Sequence, residues 1–335
     1  MSPKKETRVT IPMATNFIDG IDDKDFMTQV TSARGGRKYE LDYFKAITPV
    51  PSVKSVTSII DGSLRNYGLE NWKAAHIRRG LAAQVGNTLS VADSEMIMTS
   101  ADREAARSAA VGTDLHNTID MLLKGIPIGE IGYDDEDWDS EGNSFSKRRD
   151  QLDPAVSAFF RWREGLAKDW KFIGSELGVG FVYTECNHDF HKTCGEITPG
   201  DGPPHGFAGV MDALFQLPNG GFVVVDWKTS SGIYNTAALQ LSAYLVGLSG
   251  MLLTRGEKLW YVADDDEVKP PDIYGLIVRF VNGYPAGPDG KPDKTKEKIF
   301  ENKLEIAEVD LSWAAMFLAI TSWANADNTL ETAFY

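Results

Sequence analysis

The run Phe222-Val223-Val224-Val225-Asp226-Trp227-Lys228 decides the fold class of this chain. A run of apolar, mostly β-branched residues is typical of a strand that is buried within a sheet. Because side chains alternate along a strand, Asp226 and Lys228 are predicted to share one face. The sequence therefore places an acid and a base side by side at the end of a buried strand.

A second strand is predicted just before this one, from Phe207 to Leu217, and a turn containing Asn219-Gly220-Gly221 joins the two. If the loop consists of these three residues, Asp212 pairs directly across from Lys228. A loop one residue shorter or longer moves Asp212 to the opposite face unless a bulge compensates. In the three-residue register, two carboxylates and one ammonium group converge.

Two neighbouring carboxylates repel each other unless a divalent cation lies between them, and oxygen ligands suit Mg²⁺ or Mn²⁺. An isolated Asp-x-Lys triplet is equally well explained as an ordinary ion pair at a strand end. The triplet alone therefore does not decide between a metal site and a surface pair.

Five separated motifs favour the metal site, because they stand in an order that resembles the RecB-like branch of the PD-(D/E)xK nuclease superfamily. They are Gly112-Thr113 with His116, then Ser175-Glu176, Gly209-Val210-Met211-Asp212, Asp226-Trp227-Lys228-Thr229, and Gln240 with Tyr244. Pro51-Ser52-Val53, the helix around Trp72 and the closing helix from Trp313 to Trp323 also look like exonucleases encoded by bacteriophages of actinobacteria. The resemblance covers roughly residues 37–326 and is strongest between 112 and 244.

The resemblance implies metal-dependent cleavage of DNA, with one or two Mg²⁺ or Mn²⁺ ions held by His116, Asp212 and Asp226. It further implies that Glu176 binds metal directly or through water and that the Trp227 carbonyl completes the coordination. Lys228 would position or activate the attacking water and stabilise the developing charge. In-line attack would leave a 5′-phosphate and a 3′-hydroxyl.

Gln240 and Tyr244 are four residues apart on a predicted helix and so share a face. In similar enzymes such residues steady the lysine and touch the DNA backbone. The alternative is that Tyr244 simply belongs to the core of an amphipathic helix.

The fold expected from these patterns is α/β, with a restriction-endonuclease-like core, a central mixed sheet flanked by helices, and N-terminal helical decoration. We expect a flexible arm over residues 1–35, a helical and β region packed on the core over 36–100, and the nuclease core over 101–335. The core is expected to carry an insertion at about 185–205.

The 335 residues carry a formal charge of −14, from 34 basic and 48 acidic side chains, which argues against gripping DNA by bulk electrostatics. DNA contacts are therefore expected at local basic patches. The candidates are Lys73, Arg78 and Arg79, together with Lys147, Arg148 and Arg149. Solvated helix faces are an equally good account of these basic residues.

A cluster of soft ligands lies in the expected insertion: Cys186, His188, His191 and Cys194. A structural Zn²⁺ would accept these four ligands, although an exposed loop with incidental His and Cys is the simpler account. Since the chain holds only 2 cysteines, a four-cysteine iron–sulfur cluster within one chain is excluded. We expect a cytoplasmic protein, in the host cytoplasm if phage-encoded, because the chain has few cysteines and no apolar leader after Met1. No membrane partner is expected, because no apolar run approaches about 20 residues.

The function expected from the resemblance is resection of linear duplex DNA ends, as in phage recombination or replication, with the single-stranded product passed to an annealing protein. A structure-specific endonuclease is the nearest enzymatic alternative. A DNA-end-binding or assembly protein that has lost cleavage is the alternative of a different class. The acidic residues, the histidine and the lysine of the family motifs are all present in this chain, which argues against the loss of cleavage.

Overall fold

The computed structural model describes residues 7–14, 26–31, 37–41, 52–64, 67–131, 145–183, 205–254, 272–293 and 298–321. Within these ranges the protein is a mixed α/β fold with a central sheet of nine strands and six helices, consistent with the expected restriction-endonuclease-like class. It divides into two compact units. The first comprises residues 1–63, 160–281 and 304–335, and the second comprises residues 64–159 and 282–303.

The nine strands are numbered in chain order. They are β1 (Thr7–Pro12), β2 (Phe26–Thr31), β3 (Arg37–Leu41), β4 (Ser52–Ser55), β5 (Lys171–Tyr183), β6 (His205–Gln216), β7 (Phe222–Lys228), β8 (Ile273–Gly283) and β9 (Ile299–Val309). Their order in the sheet is β1-β2-β3-β4-β6-β7-β8-β9, with β5 paired to β6 off this path. The β4–β6 and β7–β8 pairs are parallel and the pairs from β1 to β4, β5–β6 and β6–β7 are antiparallel, so the sheet is mixed.

Strand β6 organises the first unit because it pairs with three other strands. Strand β5 pairs with β6 along nearly its whole length, from Lys171↔Gln216 to Tyr183↔His205. Strand β4 pairs only near the start of β6, at Phe207 and Ala208, and β7 pairs only near its end, from Ala213 to Gln216. On this edge of β6, the stretch from Gly209 to Asp212 pairs with neither β4 nor β7. A side chain can therefore fill the gap between these two strands.

Strand β7 is buried from Phe222 to Trp227 because it lies between β6 and β8 and its side chains are apolar. An aromatic cluster packs beside it. The Trp162 ring meets the rings of Trp227, Phe215 and Trp170 edge-on, with centroids 5.3, 5.8 and 5.7 Å away. Such edge-to-face contacts add to the burial of these large rings and hold the end of β7 rigidly.

Two α-helices of the first unit matter for the site. Helix α1 (Val56–Ser63) follows β4 directly, and α5 (Asn235–Thr254) follows β7 after a six-residue connection. Helix α5 is apolar nearly all round, which is the pattern of a buried helix, and it packs on β5, β6 and β7. A final helical stretch, α6, spans residues 314–321.

The second unit is helical. Helix α2 (Tyr67–Ala82) packs on α3 (Val91–Leu123), and α4 (Phe145–Glu164) contributes its residues up to Phe159 to this unit. Ser90 caps α3 with a reciprocal capping box to Asp93, in which each side chain bonds the other residue's backbone N–H. This cap fixes where the 33-residue helix begins.

The expected flexible arm over residues 1–35 is corrected where the structure describes it. Strands β1 and β2 pair over six residues each, and Met27 and Met13 are buried. These short strands alternate too weakly in sequence to stand out, and pairing with β3 is what makes them form part of the sheet.

No helix in the described part of the chain is long and apolar enough to cross a membrane.

Candidate active site

The end of β7 separates from β6 after the pair Ala213↔Val225, and the Asp212 carboxylate takes the place of the missing strand partner. The backbone N–H of Trp227 donates to Oδ2 of Asp212 at 2.8 Å. Continuing this register sets Asp212 opposite Asp226. The expected pairing of Asp212 with Lys228 is therefore wrong by two residues, although the shared face is retained because the shift is even.

The turn explains this difference. The loop has the expected three residues, but they are 218–220 rather than 219–221, because Leu217 N–H donates to the Gly221 carbonyl at 2.7 Å and closes the turn. Gly220 has φ +88°, the left-handed conformation that such a loop requires at its last position.

Lys228 is the centre of a polar network on the shared face. Its Nζ lies 2.9 Å from Oδ1 and 2.8 Å from Oδ2 of Asp226. The same Nζ donates to Oε1 of Gln240 at 3.3 Å, and Nε2 of Gln240 donates to the Tyr244 hydroxyl at 2.8 Å. The predicted lysine, carboxylate and helix residues are thus brought together, with Asp226 fully buried and Lys228 at 22% side-chain exposure.

The charge of Lys228 is stabilised by its neighbours. Burial by itself lowers the pKa of the Lys228 ammonium, but the negative charges of Asp226 and Asp212 and the hydrogen bond to Asp226 outweigh burial and raise the pKa above its ordinary value. The two aspartates therefore favour the charged, ammonium form of Lys228 in this arrangement.

Tyr244 is buried, and Gly209 makes room for it. A Cβ atom on residue 209 would lie 2.5 Å from Cε1 of Tyr244, so only glycine lets the ring lie directly on β6. Burial, and then the charges of Asp226 and Asp212, raise the pKa of the Tyr244 hydroxyl well above its ordinary value despite the bond from Gln240. Tyr244 is therefore a neutral hydrogen-bonding group that also belongs to the core, and its contact with the DNA backbone stays a prediction.

Glu176 lies on β5 at the position facing Asp212, where the β5–β6 ladder skips between Ser175↔Ala213 and Leu177↔Met211. Its φ of +52° is left-handed, and among the described residues other than glycine it alone has a positive φ. Strain of this kind costs about 1–3 kcal/mol and often occurs at functional positions. The side chain is exposed.

Tyr39 on β3 is a neighbour of the site that the sequence did not indicate. Its hydroxyl donates to Oε1 of Gln29 at 3.2 Å. Burial raises the pKa of this hydroxyl, the positive charge of Arg37 opposes the shift, and the negative charge of Glu176 adds to it. A tyrosine in a short N-terminal strand has no sequence signal that would connect it with Glu176.

The remaining predicted residues belong to the second unit or fall outside the described part of the chain. His116 lies half-buried on α3 in the second unit, between the buried Leu115 and the exposed Asn117. Lys73 pairs with Asp102 of α3, and Arg78 and Arg79 are exposed on α2. Lys147, Arg148 and Arg149 fall within α4, but their side chains are outside the described part, as are all of Cys186, His188, His191 and Cys194.

The donor set near Lys228 suits a hard cation. Two carboxylates, Asp212 and Asp226, and the backbone of Trp227 offer oxygen ligands of the kind that Mg²⁺ prefers. Among the described residues, no three His, Cys, Asp or Glu side chains gather closely enough to hold a metal ion. The side chains that fit a divalent ion are thus the two aspartates, and the larger ligand set stays a prediction.

Two aspartates and a lysine thus meet at the end of β7 in a mixed sheet. Residues 90–325 match the family model of the PD-(D/E)XK nuclease superfamily, and the chain belongs to that superfamily. No curated protein matches the chain.

Membership of this superfamily implies the class of activity. The PD-(D/E)XK superfamily is one of nucleases, which hydrolyse phosphodiester bonds and typically use divalent metals such as Mg²⁺. The protein is accordingly a nuclease by family, with DNA as the implied substrate.

Proposed function

We propose that the protein is a metal-dependent exonuclease that hydrolyses phosphodiester bonds at the ends of linear duplex DNA. The observation that carries this proposal is the contact of Lys228 with Asp226 beside Asp212, at the end of a buried strand in a chain of this superfamily. The RecB-like and phage-exonuclease motif order supports an end-directed enzyme of phage recombination or replication. Such an enzyme would act in the host cytoplasm and pass single strands to an annealing protein.

Each predicted site residue is assigned a role. Asp212 and Asp226 would hold the divalent ion, together with the carbonyl of Trp227, and His116 and Glu176 are proposed as further ligands, Glu176 directly or through water. A bound Mg²⁺ or Mn²⁺ supplies positive charge that makes a water easier to deprotonate.

Lys228 is proposed to orient the attacking water and to stabilise negative charge on the phosphate through its own positive charge. The raised pKa of Lys228 supports this role, since the ammonium stays charged at neutral pH. Gln240 and Tyr244 hold the lysine in place from one side of α5.

The proposal is tested with end-labelled linear duplex and closed circular DNA, incubated with Mg²⁺, Mn²⁺ or EDTA. We expect the wild type to degrade only the linear DNA and only with metal. Lys228→Ala and Asp226→Ala should be inactive. Lys171→Ala, which removes an exposed lysine at the start of β5, should retain full activity.

Two outcomes would overturn the proposal. Cleavage of closed circular DNA would make the enzyme an endonuclease. Binding of DNA ends without cleavage under any metal condition would favour the assembly role. The filled lysine and aspartate positions argue against the assembly role.

A further inference from the structure

Arg279 is a buried cation that the proposed chemistry does not use. It lies on β8, directly opposite Lys228 in the parallel β7–β8 register, and only 4% of its surface is exposed. In the sequence it interrupts the apolar run Leu276-Ile277-Val278-Arg279-Phe280-Val281. A buried charge in such a run needs specific partners to offset its desolvation.

The guanidinium of Arg279 binds the segment that follows Lys228. Its Nε donates to the carbonyl of Ser230 at 2.7 Å, and Nη2 donates to the carbonyl of Ser231 at 2.8 Å. The remaining nitrogen, Nη1, pairs with Glu305, whose side chain is 46% exposed. The planar fork of arginine can hold two adjacent carbonyls and a carboxylate at once, which a lysine cannot.

The segment held in this way connects the two halves of the Lys228 network. Residues 229–234 join the end of β7 to α5, which carries Gln240 and Tyr244. The segment is stiffened further by Ser230 Oγ donating to the Gly232 carbonyl and by the contact between Ser231 Oγ and the Tyr234 hydroxyl, each at 2.7 Å. Arg279 and these two serines therefore add to the packing of α5 on the sheet in fixing the start of α5 relative to Lys228.

The bond most sensitive to movement of α5 is the one between Lys228 and Gln240. At 3.3 Å it is the longest in the network, compared with 2.8–2.9 Å for the bonds to Asp226 and 2.8 Å for Gln240 to Tyr244. A shift of a few tenths of an ångström would break it, since a donor–acceptor distance of about 3.6 Å is no longer a hydrogen bond.

We propose that Arg279 is a positioning residue: by holding the Ser230 and Ser231 carbonyls it sets Gln240 against Lys228 and so orients the lysine for cleavage. This inference rests on the proposed nuclease function. In this proposal Arg279 acts on the lysine through the 229–234 segment and does not bind the DNA.

The test compares Arg279→Lys with two controls by steady-state cleavage of linear duplex DNA. Arg163→Lys is the matched control, because Arg163 also donates to two backbone carbonyls, those of Ala167 and Trp170, in a different loop of the same unit. Glu305→Gln removes only the negative charge of the exposed partner and leaves both carbonyl bonds. We expect Arg279→Lys to lower kcat by about tenfold to a hundredfold with KM changed less than about twofold, as for a misplaced catalytic group. Both controls should stay within about threefold of wild type.

Hydrogen exchange of the backbone amides over residues 229–240 is the second readout. Faster exchange there in Arg279→Lys, with kcat reduced, supports the proposal. Unchanged kcat in folded Arg279→Lys, or an equal loss in Arg163→Lys, overturns it. If Arg279→Lys does not fold, Arg279→Gln keeps one donor and is read by the same criteria. If the wild type itself does not cleave DNA, the proposed function fails, and exchange over 229–240 still tests whether Arg279 holds the segment.

Discussion

Replacing Gly209 with alanine tests whether the packing of Tyr244 on β6 controls the site. The new Cβ would lie 2.5 Å from Cε1 of Tyr244. Carbon atoms in contact prefer about 3.5–4.0 Å, so the ring must retreat by roughly 1 Å. The facing Val56 side chain, 3.3 Å from the same position, limits how far β6 can yield instead.

The retreat has two measurable consequences. Overpacking of a buried site costs about 1–3 kcal/mol in the free energy of unfolding. A ring that moves by roughly 1 Å also loses the 2.8 Å bond to Gln240, and with it the constraint on Lys228. A misplacement of this size lowers catalytic rates by about a hundredfold. We therefore expect Gly209→Ala to lose about a hundredfold in cleavage rate at saturating DNA.

Gly250→Ala is the matched control. Its Cβ would lie 2.5 and 2.7 Å from two carbons of the Phe181 ring, an overlap of the same kind against an aromatic ring outside the Lys228 network. Because Gly250 lies in α5, the substitution also gains up to about 1 kcal/mol of helix propensity, so its net destabilisation should be smaller. Its cleavage rate should remain near that of wild type.

The assay is urea unfolding together with initial rates of linear-duplex degradation, below the temperature at which either variant unfolds. Full activity in folded Gly209→Ala would refute the reasoning, because the ring would then be free to move without consequence. Equal loss of activity in both variants would also refute it, since general overpacking would explain both.

Three further outcomes follow from the same contacts. Lys228→Met should lower the free energy of unfolding, measured with urea, by about 3 kcal/mol. This value is at the lower end for a broken buried ion pair because the Lys228 side chain is 22% exposed. Adding Asp226→Asn to the same chain should restore part of the lost free energy. In EDTA, the difference in the free energy of unfolding between wild type and Tyr244→Phe should be constant below pH 10 and shrink above it. The reason is that the raised pKa keeps the tyrosine of the folded state protonated while that of the unfolded state ionises. A difference that widens above pH 10 would contradict this sign. Phe215→Ala should cost about 3–5 kcal/mol in thermal or urea unfolding, since this fully buried ring packs against Trp162 and Trp170, whereas a cost below about 1 kcal/mol would disprove that packing.

The local sequence pattern was sufficient to predict the strands and the helix at the centre of the site. The run Phe222–Lys228, expected as a buried strand, has the observed bounds of β7, and the predicted helix that carries Gln240 and Tyr244 is observed as α5. An apolar β-branched run and a long apolar helical run carry strong signals, because their burial depends on composition and period alone. The shared face of Asp226 and Lys228 followed from strand alternation.

Register and long-range placement were decided by the tertiary structure. The turn closes one residue earlier than expected because Gly220, not Gly221, takes the left-handed position, and this sets Asp212 opposite Asp226. The strands β1 and β2 were missed because six-residue segments with weak alternation acquire their structure from pairing with a neighbour.

The sequence by itself determined the fold class, the superfamily and the identity of the aspartates, lysine, glutamine and tyrosine that meet at the end of β7. Only the tertiary structure brought Tyr39 near Glu176, placed Tyr244 on Gly209, and turned Arg279 toward the segment after Lys228. These contacts join residues between 35 and 137 positions apart, and such pairs leave no periodic trace in one sequence. The physical reason is that the pattern of apolar and polar residues indicates which face of each strand or helix is buried. Contacts between elements depend instead on how the whole sheet is assembled.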